Sequence, residues 1–453
     1  MNFSSLRQYI DALYRNNDLE IIDKMMNPEI EIARLAAQRV KESGKGLLFT
    51  DVQGSDFRLF MNGFGTEERM AYSLGFKSLQ QAGDKIGKLL SVLEIKSPLQ
   101  LVNKLDILLS AACVFPCKVP MPNNYIVEKT DFSKYPILKT YPKDGGRFIT
   151  MGLTVLRDLE TKKQNIGLYR LQVHDNNTLG MHIHTHKDGA EILQKYKQQN
   201  KLAPVAILVG CDPVLQYAAT APLPKGMDEL AFAGFLRGRP QKCIVDKDTG
   251  LCIPKDFEFL FLGYIDMNET KKEGPFGDHT GYYSTVGEYP VFHSLKTVRK
   301  QDAIFCATVV GKPPMEDYYM GLATQHIFLP FAQTLCPEIV NWHFPPEGIF
   351  HGCVVVSIKN KYLGAAKKVL HFIWSTAQLM FSKAVILVDK DVDPSDISTV
   401  LWRVFNNVDW KRDVILDEGA LDVLDHSGGA KIGIDATEKT YLPNWPERTE
   451  FDA

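Results

Sequence analysis

The chain has 453 residues, of which 45% are hydrophobic and 23% are charged, a composition typical of a folded globular protein with several domains. The net charge of −2 and the lack of basic runs interleaved with aromatics argue against a nucleic-acid partner. No stretch approaches the roughly 20 apolar residues of a membrane span, and the start is typical of an amphipathic helix rather than a signal peptide. Eight scattered cysteines indicate free thiols and a cytoplasmic protein.

The first part of the chain alternates helical and strand patterns. Apolar spacing predicts a short buried strand over 46–50 and helices over 30–42, 79–95 and 99–111. Between Cys117 and Gly146 the chain becomes rich in Pro, Lys and Asn, which marks a domain edge. We therefore expect an N-terminal α/β domain over residues 1–118.

Short strands dominate the middle of the chain. The pattern predicts strands over 148–156, 167–173, 181–185, 257–265 and 289–298. An apolar strand over 204–210 and helices over 214–221 and 228–237 interrupt them. Mostly antiparallel strands at this spacing predict a central, β-barrel-like domain over residues 119–312.

The pattern changes again after Pro313. It predicts helices over 318–335, 363–379 and 395–404, which alternate with strands over 353–358 and 384–389. Such a βαβ series indicates parallel strands and a C-terminal α/β domain over residues 313–453. The fold class is therefore α/β, with α and β elements mixed.

One loop combines two acidic residues with turn formers and aromatics. In Glu273-Gly-Pro-Phe-Gly-Asp-His-Thr-Gly-Tyr-Tyr283 two carboxylates stand five residues apart, and the glycines and proline predict a sharply turned backbone. Such a loop can direct Glu273 and Asp278 at one reacting centre, where one stays ionised and the other donates a proton. The alternative is a surface turn in which the acids only cap the loop.

An arginine and an asparagine lie on a predicted strand, in Asn165-Ile-Gly-Leu-Tyr-Arg170. On an extended strand Asn165 and Arg170 face opposite sides, so a bend at Gly167 is needed to bring them together. The Arg170 guanidinium has a fork of donors suited to a substrate carboxylate or to Glu273. The alternative is a solvated surface arginine.

Three histidines alternate in His182-Ile-His-Thr-His186, which puts their imidazoles on one face if the segment is a strand. A zinc site of histidines, a mixed nitrogen and oxygen site that uses one of them, and a polar strand face all remain open. A zinc hydrolase is less favoured because the His-Glu-x-x-His motif is absent. Glu229, at the start of an apolar helix, is either a capping residue or an inward carboxylate ligand.

Together these segments resemble the UbiD family. The resemblance rests on NIGLYR at 165–170, HTHKDGA at 184–190, APLPKGMDELAFAGFLRG at 221–238 and EGPFGDHTGYY at 273–283. The stretches LLFTDVQGSDFRLFMNGFGTEER at 47–69 and WHFPPEG at 342–348 are similar as well. The resemblance implies a central split β-barrel domain that binds prenylated FMN, and reversible decarboxylation of aromatic or α,β-unsaturated acids.

The resemblance also implies a set of site residues. Matched residue by residue, the metal ligands are Asn165, His186 and Glu229, a set that suits Mn²⁺ or Mg²⁺, with K⁺ as a further cation. The implied catalytic residues are Arg170, Glu273 and Asp278, with Asp278 favoured as the proton donor. The segments that contact the cofactor in the family correspond to Leu168, Tyr169, Arg170, His182, Ile183, His184, Lys187 and Asp188.

The implied function is the decarboxylation of a small aromatic acid of the hydroxybenzoate type. The alternatives are a heteroaromatic or polycyclic acid, including an intermediate of a quinone pathway, and a catalytically silent flavin-binding subunit. The resemblance further implies a flavin prenyltransferase as the supplier of the cofactor. It also implies a homo-oligomer, either a dimer or a hexamer.

Overall fold

The computed structural model describes residues 3–94, 114–184, 187–360, 362–425 and 427–449. The chain forms two compact units, Met1–Ala323 and Thr324–Ala453. Both units combine helices with sheets, so the predicted mixed α/β class is confirmed. The predicted helix over 99–111 and Cys113 lie outside the described residues.

The described helices include the predicted ones, close to their predicted positions, and two more, over 67–73 and 188–198, that the sequence pattern did not predict. They are α1 (Leu6–Arg15), α2 (Glu31–Lys41), α3 (Glu67–Ser73), α4 (Leu79–Leu90), α5 (Asp188–Gln198), α6 (Pro213–Ala218), α7 (Glu229–Arg237), α8 (Glu316–Leu335), α9 (Ala365–Trp374) and α10 (Ile397–Asn407). Side-chain caps explain several of these starts, since Ser5, Thr66, Asp212 and Asp228 each accept a hydrogen bond from a backbone N–H of the helix that follows.

The strands of the N-terminal half are β1 (Leu19–Ile22), β2 (Gly46–Phe49), β3 (Arg58–Met61), β4 (Cys117–Lys118), β5 (Tyr125–Glu128), β6 (Phe148–Ile149), β7 (Gly152–Arg157), β8 (Gln164–Leu168), β9 (Leu171–Val173), β10 (Thr178–Met181) and β11 (Ala203–Val209). The later strands are β12 (Lys242–Val245), β13 (Cys252–Pro254), β14 (Phe259–Glu273), β15 (Gly287–Lys300), β16 (Ile304–Cys306), β17 (Ile339–His343), β18 (Cys353–Ile358), β19 (Ala384–Asp389), β20 (Val414–Asp417) and β21 (Lys431–Asp435).

The largest sheet of the first unit carries the candidate site. Its strand order is β6-β9-β10-β15-β14-β11-β7-β8, with β5 also paired to β15. Every neighbouring pair is antiparallel, as the sequence predicts for the central region. The long hairpin of β14 and β15 contains a register shift between Asp266 and Thr270, and it ends at Glu273, where the acidic loop begins.

An aromatic cluster joins this sheet to the four-stranded sheet β1-β2-β3-β16. Phe259 on β14 packs 5.4 Å from Phe305 on β16 and 5.2 Å from Tyr135, measured between ring centroids. Phe57, just before β3, lies 5.1 Å from the same Phe259 ring. Burial of side chains of this size contributes roughly 1.5–3 kcal/mol each, so the cluster anchors the end of β14 that lies away from the site.

The second unit contains a five-stranded sheet, β17-β18-β19-β21-β20, in which β18, β19 and β21 run parallel. Val354 and Val356 of β18 face a core shared with α9, whereas Val355 faces a core shared with α10. Helices therefore cover both faces, which is why both predicted parallel strands are near-continuous apolar runs. The predicted C-terminal α/β arrangement is confirmed.

Candidate active site

Arg170 occupies a two-residue break between β8 and β9. The strand pairing is interrupted at Tyr169 and Arg170. Gly167 lies within β8, opposite Thr154, so the bend that would bring Asn165 and Arg170 together is not present there. Gly167 has a different use, because a Cβ atom there would lie 2.6 Å from the Tyr169 ring. The glycine makes room for the Tyr169 ring, whose hydroxyl lies 3.4 Å from Asn165 Oδ1.

The Arg170 guanidinium binds both acidic residues of the loop. Its Nε lies 2.8 Å from Glu273 Oε1, its Nη2 lies 3.1 Å from Glu273 Oε2, and its Nη1 lies 2.7 Å from Asp278 Oδ2. The exposed fractions of these side chains are 11% for Arg170, 0% for Glu273 and 7% for Asp278. Phe276 covers one face of the guanidinium at 4.6 Å from the ring centroid. The structure thus brings together the three residues predicted to be catalytic.

The acidic loop is a tight turn held by its own backbone. Gly274 takes a φ of +95°, which favours glycine, and starts the turn directly after Glu273. Asp278 N–H donates to the Tyr282 carbonyl at 3.0 Å, and Gly277 N–H donates to the Asp144 carboxylate at 2.8 Å. These bonds fix Asp278 in a position from which its side chain reaches Arg170.

The strand predicted over 181–185 ends at Met181, so the prediction that it continues through the histidines is wrong. Its partner β9 begins at Leu171, opposite Met181, and beyond that pair the backbone contact is His182 N–H to the Arg170 carbonyl at 3.2 Å. Thr185 and His186 lie outside the described residues. The arrangement of all three imidazoles on one strand face is therefore not supported.

His182 and His184 join the acidic cluster instead. His182 Nδ1 lies 2.9 Å from Glu273 Oε2 and 2.8 Å from Arg170 Nη2, and its ring stacks on Tyr289 at 4.1 Å. His184 Nε2 lies 2.9 Å from His182 Nε2. Burial alone raises the pKa of Glu273, but its hydrogen bonds to His182 and Arg170 outweigh burial and lower the pKa below its ordinary value. Glu273 is therefore an ionised partner that holds Arg170.

A second His–Asp contact lies beside Asp278. His279 Nδ1 is 2.6 Å from Asp317 Oδ2, in the first turn of α8, and His279 Nε2 is 3.6 Å from Asp278 Oδ1. Burial lowers the pKa of His279, whereas the charge of Asp317 and the hydrogen bond to it raise the pKa, with a net rise to about 9. An imidazolium is thus held next to the predicted proton donor at neutral pH.

Asn165 and Glu229 form a separate cluster. Asn165 Nδ2 donates to Glu229 Oε1 at 2.7 Å, and Ile166 N–H donates to Glu229 Oε2 at 3.1 Å. Asp228 caps α7, so Glu229, the first residue of the helix, is free of that role. Burial raises the pKa of Glu229 to about 7. Glu229 is a buried carboxylate with neutral amide donors, and a divalent cation fits such an oxygen site.

Two of the remaining predicted cofactor positions, Tyr169 and Ile183, lie next to Gly189 in α5. A Cβ atom at Gly189 would lie 2.7 Å from the Tyr169 hydroxyl and 2.9 Å from Ile183, so both residues pack closely on this turn. Leu168 N–H donates to the Ala219 carbonyl at 3.3 Å. Lys187 precedes α5 and Asp188 is its first residue, and the N–H groups of Ala190 and Glu191 donate to the Lys187 carbonyl at 2.9 and 3.3 Å.

Three family models match successive parts of the chain. They describe the N-terminal, Rift-related and C-terminal domains of 3-octaprenyl-4-hydroxybenzoate carboxy-lyase, and they match residues 10–90, 116–313 and 318–436. The chain belongs to the UbiD family of carboxy-lyases. A relative from Archaeoglobus fulgidus is 41% identical over 467 residues, which cover 100% of this chain and 96% of the relative.

Solved UbiD-class structures share the fold. The vanillic acid decarboxylase of Sedimentibacter hydroxybenzoicus in its closed form is 26% identical, with a TM-score of 0.87 over 100% of this chain and 96% of that one. An evolved dimeric form of HmfF from Pelotomaculum thermopropionicum, in complex with prenylated FMN, is 24% identical, with a TM-score of 0.81 over 99% and 97% of the two chains. Among the described residues, no helix combines the length and apolar character needed to cross a membrane.

Several residues around the UbiD motifs were not predicted from the sequence. The Ser284 hydroxyl accepts from Arg170 Nη2 at 3.0 Å and from Phe276 N–H at 3.2 Å, so it joins the arginine to the loop. Tyr289 supports His182, and Asp317 supports His279. Their sequence positions carry no signal beyond closeness to the EGPFGDHTGYY motif, and Asp317 lies 38 residues after its partner.

Proposed function

We propose that the protein is a prenylated-FMN-dependent, non-oxidative decarboxylase of a small aromatic acid of the hydroxybenzoate type. The observation that carries the proposal is the Arg170 guanidinium, which is held by Glu273 and Asp278 in a nearly buried site. The similarity to a decarboxylase of vanillic acid, a phenolic acid, supports this substrate class.

Arg170 orients the substrate carboxylate. Glu273 occupies the Nε and Nη2 edge, which fixes the plane of the guanidinium, while the Nη1 side faces Asp278. A substrate carboxylate that approaches Nη1 competes with Asp278 for the same donor. Binding of substrate thus releases the Asp278 carboxyl group for proton chemistry, and Glu273 keeps Arg170 in place.

Asp278 delivers the proton that replaces CO₂ on the product. Prenylated FMN, when bound, supplies the electron sink for the electron pair left on carbon when CO₂ leaves. The proton moves from an Asp278 carboxyl oxygen to that carbon, and the imidazolium of His279, 3.6 Å from Asp278 Oδ1, is positioned to restore it. The enclosed site limits water that would compete as a proton source.

Asn165, His186 and Glu229 hold a divalent cation, Mn²⁺ or Mg²⁺, in this proposal. The buried carboxylate and the side-chain amide next to it supply hard oxygen ligands, which these ions prefer. K⁺ is a further cation of the site. The segments of Leu168 to Arg170, His182 to His184, and Lys187 with Asp188 contact the cofactor.

The proposal also includes the domain boundaries, the oligomeric state and the source of the cofactor. We place an N-terminal domain at 1–118, a central cofactor-binding domain at 119–312 and a C-terminal domain at 313–453. The three family-model matches support this division. A cytoplasmic homo-oligomer, a dimer or a hexamer, receives its cofactor from a flavin prenyltransferase.

The test is to produce the protein together with a flavin prenyltransferase, to identify the bound cofactor by mass spectrometry, and to assay aromatic acids for CO₂ release. We expect prenylated FMN, bound Mn²⁺ or Mg²⁺, and release from hydroxybenzoates by loaded protein only. Protein that binds the prenylated flavin but releases no CO₂ from any acid would support the silent flavin-binding subunit instead. Stoichiometric zinc without flavin would instead support a zinc hydrolase that uses the three histidines.

A further inference from the structure

A small sheet next to the candidate metal site carries two facing thiols. Strands β13, β12 and β4 form this sheet, with Cys252 on β13 and Cys243 on β12. The register pairs Cys243 with Pro254 and Val245 with Cys252, so the two cysteines are diagonal neighbours on one face. Cys117 on β4 pairs with Lys242 and lies on the opposite face.

The two thiols lie side by side on the sheet and differ in access. Both cysteines are unoxidised in the structure. Cys243 is fully buried, with 0% of its surface exposed, whereas Cys252 is partly exposed. The hydrogen bond from Cys243, with Lys118 nearby, lowers the pKa of Cys252 although burial opposes it. The pair thus has an accessible sulfur and a buried partner.

Hydrogen bonds and charge connect the thiol pair to the segments that contain the candidate metal ligands. The Gln164 side chain accepts from Cys252 N–H at 2.6 Å and donates to the Cys252 carbonyl at 2.9 Å, and Gln164 directly precedes Asn165. The Asp228 charge acts on both thiols, and Asp228 directly precedes Glu229. A change in the backbone at Cys252 therefore acts on Gln164 first and on Asn165 next.

We propose that Cys243 and Cys252 are an oxidation site, at which hydroperoxides convert the thiol pair into an intramolecular disulfide. The inference stands on the strand register that places the two cysteines on one face of the sheet, and it does not depend on the reaction proposed above. An effect of this disulfide on the metal ligands through Gln164 rests on the proposed function, and it is tested separately by the affinity for Mn²⁺.

The chemistry needs a hydroperoxide and no other reactant. The Cys252 thiolate attacks one peroxide oxygen, the S–O bond forms as the O–O bond breaks, and hydroxide leaves as water after it takes up a proton. Cys252 is now a sulfenic acid, oxidised by two electrons. The Cys243 sulfur then attacks the Cys252 sulfur, the S–S bond forms, and the hydroxyl leaves as water with the Cys243 proton. Two thiols and one hydrogen peroxide thus give one disulfide and two waters.

The test uses the reduced full-length protein, treated with hydrogen peroxide, alkylated under denaturing conditions and digested for mass spectrometry without reductant. We expect a peptide pair linked through Cys243 and Cys252, reversed by dithiothreitol and formed at least about tenfold faster than oxidation of Cys353. Cys243→Ser should abolish the link and leave a Cys252 sulfenic acid that dimedone traps. Cys117→Ser is the matched control and should leave the link unchanged.

Three outcomes would overturn the assignment. Both thiols could stay alkylatable at peroxide concentrations that oxidise Cys353, or Cys243 could pair with Cys117 instead. A link that forms equally fast in urea would also contradict it, because the folded placement would then have no part in it. Separately, Mn²⁺ affinity of oxidised and reduced protein is compared, and equal affinities would refute the coupling through Gln164 while the disulfide itself stands.

Discussion

Arg170 and Glu273 meet edge to edge, with Nε 2.8 Å from Oε1 and Nη2 3.1 Å from Oε2. This geometry takes two of the guanidinium's donors in parallel and leaves Nη1 for a third partner, Asp278 at 2.7 Å. A planar fork can satisfy all of these contacts at once, whereas a single ammonium cannot. The arrangement therefore requires arginine and not merely positive charge.

We expect Arg170→Lys to lose activity without losing the fold. A lysine keeps the charge but cannot bind Glu273 at two points and present a donor to the substrate, so turnover should fall by roughly 100-fold or more. Steady-state kinetics of CO₂ release measures the loss, with bound flavin quantified in parallel. Arg299→Lys is the control, because Arg299 makes a similar two-point pair with Glu128, at 2.9 and 3.0 Å. Equal losses in both variants would contradict the role of Arg170.

Asp278→Asn should remove the proton donor and keep the shape of the loop. The amide cannot release a proton, so we expect turnover to fall by roughly 10²–10⁴-fold while substrate still binds. Asp175→Asn is a control, because Asp175 also accepts backbone N–H groups, those of Asn177 and Thr178 at 3.0 and 2.8 Å, but belongs to the turn between β9 and β10. Activity at the wild-type level in Asp278→Asn would eliminate this residue as the donor.

The His279–Asp317 pair should make stability depend on pH. The folded pKa of His279 is about 9, above the ordinary value of 6.5, so the folded state holds a proton that the unfolded state loses between these values. The stabilisation is fully present below pH 6.5 and is lost as pH rises through 9. It should amount to on the order of 1–2 kcal/mol. Denaturant unfolding at pH 6 and pH 9.5 measures it.

The matched variant for that measurement is Asp317→Asn, which removes the charge that raises the pKa of His279. We expect this variant to lose much of the stability difference between the two pH values. NMR titration of the His279 ring gives the same information directly. An unchanged ring pKa in Asp317→Asn would show that the ion pair does not set the protonation of His279.

Glu229→Gln should release the divalent cation and, with it, the flavin. The substitution keeps the size of the side chain and a carbonyl oxygen but removes the charge that binds the metal. Metal analysis and flavin absorbance after desalting give the two readouts. Glu191→Gln is a suitable control, because Glu191 pairs with Lys225 on an exposed face of α5. Full retention of metal by Glu229→Gln would exclude Glu229 as a ligand.

The sequence predicts the layered C-terminal part of the fold well. The strands at Cys353–Ile358 and Ala384–Asp389 match their predicted bounds, because each is a short apolar run between residues that break the pattern. Local composition is sufficient to predict where such strands begin and end. Most antiparallel central strands were likewise predictable as elements, although the predicted strand over 148–156 is interrupted at 150–151. Their pairing was not predictable, because it joins segments far apart in the chain.

The two errors at the site have a common origin in long-range contacts. The strand after Met181 fails to continue because its partner strand begins at Leu171, which no local pattern shows. The predicted strand over 167–173 is interrupted at Tyr169 and Arg170, where Arg170 binds acids 103 and 108 residues further along the chain. The resemblance to the family motifs predicts Arg170, Glu273 and Asp278 as one group. The contact between Asp317 and His279 could be recognised only from the structure.

The most direct test of the account is a single-turnover reaction in D₂O, with prenylated-FMN-loaded protein and 4-hydroxybenzoate labelled with ¹³C in the carboxyl group. We predict one ¹³CO₂ for each phenol formed and one deuterium on the carbon that carried the carboxylate. The Asp278→Asn variant should form this product far more slowly. Formation of the deuterated phenol by the variant at the wild-type rate, or a phenol without deuterium on that carbon, would contradict proton delivery by Asp278 in a decarboxylase.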